Sequence, residues 1–209
     1  MTKKSKVGII DCDFGNLASL ENSIKFLNFD YQIIKDKIVS DQLTHLILPG
    51  VGSYNEAAKK IRASGLDEQI KEFTIKSKPF LGICLGMQLM FETSSENGKE
   101  SGLGLFKGEC EKFSDNLKIN LPHIGFNLVE NPNTKIWKEI PYNSPFYFVH
   151  SYRVLMNENI NNNTVKYSKT FYGEDFVSFV EKENVFGAQF HPEKSHKIGL
   201  RLLKNFLEI

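Results

Sequence analysis

What this sequence lacks first is a dominant charge. Lys and Arg total 26 against 25 for Asp and Glu in 209 residues, so no broad field exists to gather nucleic acid or an anionic membrane, and partners must be recognised by shape and local patches. Long apolar runs are missing too. The longest, around Phe80 to Phe91, falls far short of a membrane span and contains Gln88. The basic start from Met1 to Lys6 leads into only Val7-Gly8-Ile9-Ile10 before Asp11, so no signal peptide is expected. Cysteine is scarce: Cys12, Cys84 and Cys110 make an odd set without metal spacing, which excludes a disulfide framework and points to a reducing cytoplasm. His45, His123, His150, His191 and His196 are dispersed with no His-x-x-x-His or Cys-x-x-Cys pair, so neither a metal nor a cofactor is expected. A Gly-rich phosphate loop, a basic cluster, an internal repeat and a low-complexity linker are likewise absent.

What is present is a regular alternation. Val7 to Ile10 reads as a strand, and Leu17, Leu20, Ile24 and Leu27 recur at helical spacing behind Asn16 as a candidate cap. Tyr31–Ile34 and His45–Leu48 are further strands. Ala57, Ala58 and Ile61, then Leu66, Ile70 and Phe73, mark helices ahead of the strand that runs into Cys84. This pattern predicts a doubly wound, mostly parallel α/β sheet. From Gly102 to Phe190 short β-rich runs follow, among them Phe146–Val149, Val165–Ser168 and Phe176–Glu181, and they predict an antiparallel extension of the sheet. Asn157–Asn163 reads as an exposed loop, and Gly199 to Leu207, with Leu200, Leu203 and Phe206, as a closing amphipathic helix. One domain over residues 1–209 is expected.

Two segments carry chemistry. Cys84 stands in Gly82-Ile83-Cys84-Leu85-Gly86, between an apolar strand and the helix-like Met87 to Glu92, which is the form of a nucleophile elbow with sulfur in place of a hydroxyl. Glycines flank it because a Cβ on either side of so tight a turn would strike neighbouring backbone. A packed turn is the other reading of so short a match. The second segment, Val185 to Glu193, ends in His191-Pro192-Glu193. A thiol nucleophile needs an imidazole to take and return its proton, and the imidazole needs a carboxylate to orient it. Alternation along an extended segment would set His191 and Glu193 on one side, with Pro192 between them as the open question. The bland reading is a strand-capping histidine beside a solvated glutamate. The elbow and this segment together favour acyl transfer.

With Leu48-Pro49-Gly50-Val51-Gly52-Ser53, Pro122-His123-Ile124-Gly125-Phe126-Asn127, His150-Ser151-Tyr152 and Gln189-Phe190-His191-Pro192-Glu193-Lys194-Ser195, the chain resembles the class I glutamine amidotransferases, and within them the glutaminase subunits of imidazole glycerol phosphate synthase, from about Val7 to Leu207. The resemblance implies a flavodoxin-like fold with Cys84 as nucleophile, His191 as acid and base, and Glu193 as its orienting group. It implies an oxyanion held by the backbone N–H of Leu85 with that of Val51 or Gly52, and glutamine bound by Gln88, Glu96, Ser151 and Tyr152. Simple packing for Gln88 and simple solvation for Glu96 are their alternatives. The resemblance also implies a (β/α)8-barrel cyclase partner that receives the ammonia, with Asn16, Phe126 and Lys194 near the shared face. The sequence departs from the family where Phe126 replaces a usual Trp and where Asp11-Cys12-Asp13 replaces Asp-Tyr-Gly. These departures leave open a sugar amidotransferase of surface-polysaccharide assembly as the partner. A non-catalytic scaffold and a stand-alone cysteine hydrolase are the remaining readings.

Overall fold

The computed structural model describes residues 5–13, 15, 17–96, 100–155 and 164–209. The first half alternates as expected: β1 (Lys6–Ile10), α1 (Ala18–Phe26), β2 (Asp30–Ile34), β3 (His45–Leu48), α2 (Tyr54–Ala63), α3 (Leu66–Ile75), β4 (Phe80–Ile83) and α4 (Leu85–Leu89). Then come β5 (Thr93–Ser94), β6 (Glu109–Lys112), β7 (His123–Val129), β8 (Ser144–His150), β9 (Tyr152–Val154), β10 (Lys166–Tyr172), β11 (Glu174–Lys182) and β12 (Val185–Ala188), closed by α5 (His196–Leu207).

The main sheet runs β2-β1-β3-β4-β12-β11-β9-β6-β5, with β10 also paired to β11. β2, β1, β3, β4 and β12 are parallel neighbours, and from β11 onward the pairing is mainly antiparallel. Period-two alternation splits the core between the two faces. Ile10, Leu46, Leu48 and Phe80 join α2 and α3 on one side, whereas Val7, Ile9, Ile47 and Leu81 meet α1 and α5 on the other. Among the described residues no helix is long and apolar enough to cross a membrane, and no cluster of His, Cys, Asp and Glu could hold a metal ion.

Three local expectations need correction. β7 and β8 do not extend the main sheet but form their own antiparallel ribbon, which lays Phe146 and Phe148 against Phe176 and Phe190 on the α5 side. Burying an aromatic stripe satisfies the ribbon better than a further edge position would. In α5 the buried stripe is Gly199, Leu202, Leu203, Phe206 and Leu207, leaving Leu200 only half-buried. Gly199 sets that phase, since a Cβ there would overlap the Pro192 carbonyl. The N-cap position of α1 is Leu17, with no side-chain cap hydrogen bond. Asn16 and the Asn157–Asn163 loop lie outside the described residues.

Candidate active site

β4 lies in register between β3 and β12, pairing Gly82 with both Leu48 and Gly187, and delivers Cys84 to the carboxyl edge of the parallel sheet. There the backbone turns through φ 53° and ψ −108° at Cys84, a conformation that L residues rarely adopt. A Cβ on Gly82 would stand 2.7 Å from the Gly86 carbonyl oxygen, and one on Gly86 would overlap the Leu48 carbonyl. Both glycines are therefore required by close approach. α4 is shorter than the pattern suggested, ending at Leu89, so its dipole adds little and the sulfur depends on its neighbours. Only 4 % of Cys84 is exposed.

The neighbour that matters arrives from β12. Pro192–Lys194 forms a 3-10 turn rather than an extended segment, and this curl brings Glu193 back under the ring of His191. His191 Nδ1 donates to Glu193 Oε1 at 2.7 Å. The ring is further fixed from behind: its backbone N–H donates to the Tyr147 carbonyl at 2.8 Å, while Ser195 Oγ donates to the His191 carbonyl at 2.6 Å. With Nδ1 committed to Glu193, Nε2 is left buried and turned to Cys84, with no other hydrogen-bond partner among the described residues. Burial alone would depress this imidazole, but the Cys84 thiolate and then Glu193 outweigh it and raise the pKa from 6.5 to about 10. The imidazole beside Cys84 is therefore held in its protonated form.

The loop expected to complete an oxyanion site is turned the other way. Leu85 N–H donates to the Gly50 carbonyl at 3.3 Å and so is already occupied. In a trans peptide the carbonyl and the following N–H point in opposite directions. The Val51 N–H accordingly points away from Cys84, toward Gly15, with its nitrogen 3.4 Å from where a Cβ of Gly15 would stand. Val51 is 40 % exposed and Gly52 has φ 108°, so neither is gripped by the core.

Of the residues assigned to glutamine, Ser151 and Tyr152 follow directly on β8, whose Val149 carbonyl accepts from Cys84 Sγ at 3.9 Å. The charge of Glu96 reaches Tyr152, and both it and burial raise the tyrosine, burial first. Glu96 also contributes to the fold, its Oε2 accepting the Tyr54 N–H at 2.8 Å at the start of α2. Gln88 is buried on α4, and its Nε2 donates to the Tyr152 carbonyl at 3.0 Å and to Gln189 Oε1 at 3.0 Å. Both protons of that amide are used inside the protein, so only its oxygen remains for a substrate.

Two features escaped the sequence reading. Gln189, fully buried, donates from Nε2 to Cys84 Sγ at 3.7 Å; its one signal is a polar residue inside an apolar strand, two positions before His191. The second is a histidine pair. His150 Nδ1 lies 2.7 Å from the Tyr152 carbonyl, which can only accept, so His150 Nε2 is left to accept from His123 Nδ1 at 3.1 Å. Burial holds both rings neutral, lowering His123 to about 4 and His150 to about 3.

Phe126 and Lys194, two of the residues expected at a partner surface, lie on the outer side of His191. Phe126 stacks on His196 with ring centroids 5.1 Å apart and meets the edge of Tyr147 at 5.6 Å, and Lys194 Nζ sits 5.8 Å from the centre of the Tyr147 ring. β7 turns Ile124, Phe126 and Leu128 outward, 60 %, 49 % and 51 % exposed, so that its outer face is an apolar row. A cleft lined by Pro49, Gly50, Val51, His191, Glu193 and Lys194 opens on the same side.

The family model of glutamine amidotransferase class-I matches residues 9–209. A protein of Caldanaerobacter subterraneus subsp. tengcongensis named imidazole glycerol phosphate synthase subunit HisH is 44 % identical over 204 residues, covering 97 % of this chain and 98 % of its own. A namesake from Aquifex aeolicus is 42 % identical, covering 95 % and 94 %. Among solved structures PurLQS from Thermotoga maritima superposes with a TM-score of 0.75 over 99 % of both chains at 17 % identity, which is likeness of fold. By sequence, fold and the elbow at Cys84, the chain belongs to the class-I glutamine amidotransferase family.

Proposed function

We propose that the chain is the glutaminase subunit of an imidazole glycerol phosphate synthase, hydrolysing glutamine and passing ammonia to a separate (β/α)8-barrel cyclase in histidine biosynthesis. The observation that carries the reading is the line from Glu193 through His191 to Cys84, buried at the carboxyl edge of the sheet in a chain with full-length relatives of that name. The Cys84 thiolate attacks the side-chain carbonyl of glutamine, and its electron pair moves onto oxygen. Collapse expels the amine, which takes its proton from His191 and leaves as ammonia. Water, deprotonated by the now neutral His191, then opens the γ-glutamyl thioester to give glutamate and expel the Cys84 thiolate beside a reprotonated His191. Glu193 keeps Nδ1 protonated throughout, so that Nε2 does the proton transfers.

The oxyanion needs donors that the resting loop withholds. Turning the Gly50–Val51 peptide over by about half a turn releases Leu85 N–H and swings Val51 N–H inward, and glycine at 50 makes the turn sterically cheap. Each such donor is worth roughly 10²–10³ in rate. Docking of the cyclase on the face of Phe126 and Lys194 is the event we assign to this switch, supported by the apolar row on β7 and by the adjacency of that face to Val51. The single sheet linking both halves supports one glutaminase domain over residues 1–209, and three free buried cysteines support a reducing cytoplasm.

The test is glutamine turnover by the chain alone, then with a cognate cyclase and its nucleotide ligand. Near silence followed by strong stimulation is expected, abolished in Cys84→Ala. Full activity alone points to an independent hydrolase. No rise with a bound cyclase, but a rise with a sugar amidotransferase, transfers the chain to polysaccharide assembly.

A further inference from the structure

We infer that Gln189 is a fixed hydrogen-bond donor to the Cys84 nucleophile and that Gln88 acts as its positioning residue. An amide side chain can present either its oxygen or its nitrogen, and only the nitrogen helps a thiolate. Here the choice is forced by a chain of bonds that starts from a group with no choice. The Tyr152 carbonyl can only accept, so the end of Gln88 that meets it at 3.0 Å is the amide nitrogen. The second proton on that nitrogen meets Gln189 at 3.0 Å, so this end of Gln189 is its oxygen. The nitrogen of Gln189 is thereby aimed at Cys84 Sγ, 3.7 Å away. His150 Nδ1 donates to the same Tyr152 carbonyl at 2.7 Å and anchors the start of the chain.

The consequence for the sulfur is a balance between two contacts. The Val149 carbonyl at 3.9 Å accepts from a thiol and repels a thiolate, whereas Gln189 favours the thiolate. The titratable groups around the sulfur are His191 with Glu193 behind it, His150, and Cys110, whose thiol burial keeps protonated. None of them donates a hydrogen bond to the sulfur as an uncharged group. Gln189 does so without competing with His191 for a proton, because an amide is not a base at neutral pH. With Oε1 bound to Gln88, it cannot rotate to face the sulfur with oxygen.

This assignment rests on Cys84 being the nucleophile, but its test needs neither glutamine nor a partner. The rate of Cys84 alkylation by iodoacetamide is followed by mass spectrometry from mildly acidic to alkaline pH, in folded chains checked by circular dichroism. Losing one donor to an ionised group is expected to slow alkylation of Gln189→Met about tenfold at neutral pH and to move its profile to the alkaline side. Gln88→Met should slow it less, about threefold, because a released Gln189 still presents nitrogen part of the time. Gln189→Glu keeps the shape and replaces the donor with a carboxylate, so it should slow alkylation more than Gln189→Met, and it decides the matter if the methionine variant fails to fold. Wild-type rates in folded Gln189→Met or Gln189→Glu overturn the assignment and leave the glutaminase reading intact. A wild-type chain in which Cys12 is alkylated faster than Cys84 overturns the reading itself.

Discussion

The elbow at Cys84 and the loop from Pro49 to Gly52 face each other across the same few ångströms, yet they are built on opposite terms. The elbow is held by contacts that leave no room for another atom: Gly82 against Met90 and Gly86, Gly86 against Leu48. The loop is held to it by one hydrogen bond of 3.3 Å, from Leu85 N–H to the Gly50 carbonyl, with an exposed Val51 at its tip. Packing fixes the nucleophile permanently, whereas the loop's conformation can be exchanged at the cost of one bond of ordinary strength. On the proposed reading, the chemistry that must never drift and the chemistry that waits for a partner are separated by the kind of force that holds them.

The difference can be broken from the rigid side with the largest effect. Gly86→Ala drives a methyl group into the Leu48 backbone, so it is expected to abolish turnover and to lower unfolding stability by about 3 kcal/mol, read from urea denaturation. From the loop side, Val51→Pro removes the N–H proposed to swing inward and also locks φ at that residue, so the switch itself is blocked. The cyclase-stimulated rate should fall roughly 10²–10³-fold, and a stimulated rate equal to wild type would show that Val51 is not a donor. A third measurement asks whether the fixed half carries its charge before any partner arrives. His191 is raised from 6.5 to about 10 in the fold, so its contribution is complete below about pH 6.5 and is lost as pH rises through about 10. His123 and His150 are lowered to about 4 and 3, so they act oppositely, and stability falls as pH drops below about 6.5. Urea midpoints against pH should lose the alkaline limb in His191→Gln and soften the acid limb in His150→Gln. The smallest effect is expected from Phe126→Ala, which should weaken cyclase binding by about 1–2 kcal/mol in titration calorimetry while leaving Cys84 alkylation alone.

Sequence made the rigid half legible and the switchable half only partly so. Glycines that flank a cysteine between an apolar strand and a helix declare a crowded turn, because crowding is what selects glycine. The βα alternation likewise follows from periodicity. Nothing in Pro49-Gly50-Val51-Gly52 says which way a peptide faces, since both orientations suit the same residues. The curl that joins His191 to Glu193 was obscured by Pro192, which fits an extended path and the first position of a 3-10 turn alike. Gln189 was hidden because its role depends on Gln88, a hundred and one positions away in the chain. The phase of α5 turned on a backbone approach between Gly199 and Pro192 that hydrophobic spacing does not encode.

The positive φ of Cys84 has a consequence for heat tolerance. A non-glycine residue in that region costs of order 1–3 kcal/mol, a burden this fold carries at all times for the sake of where it points one sulfur. Glycine normally weakens a fold relative to alanine, by roughly 0.5–1 kcal/mol in a regular element, but here the order should reverse. Cys84→Gly should melt several degrees above Cys84→Ala, an inert chain that withstands more heat because it has given up the turn's demand on its backbone.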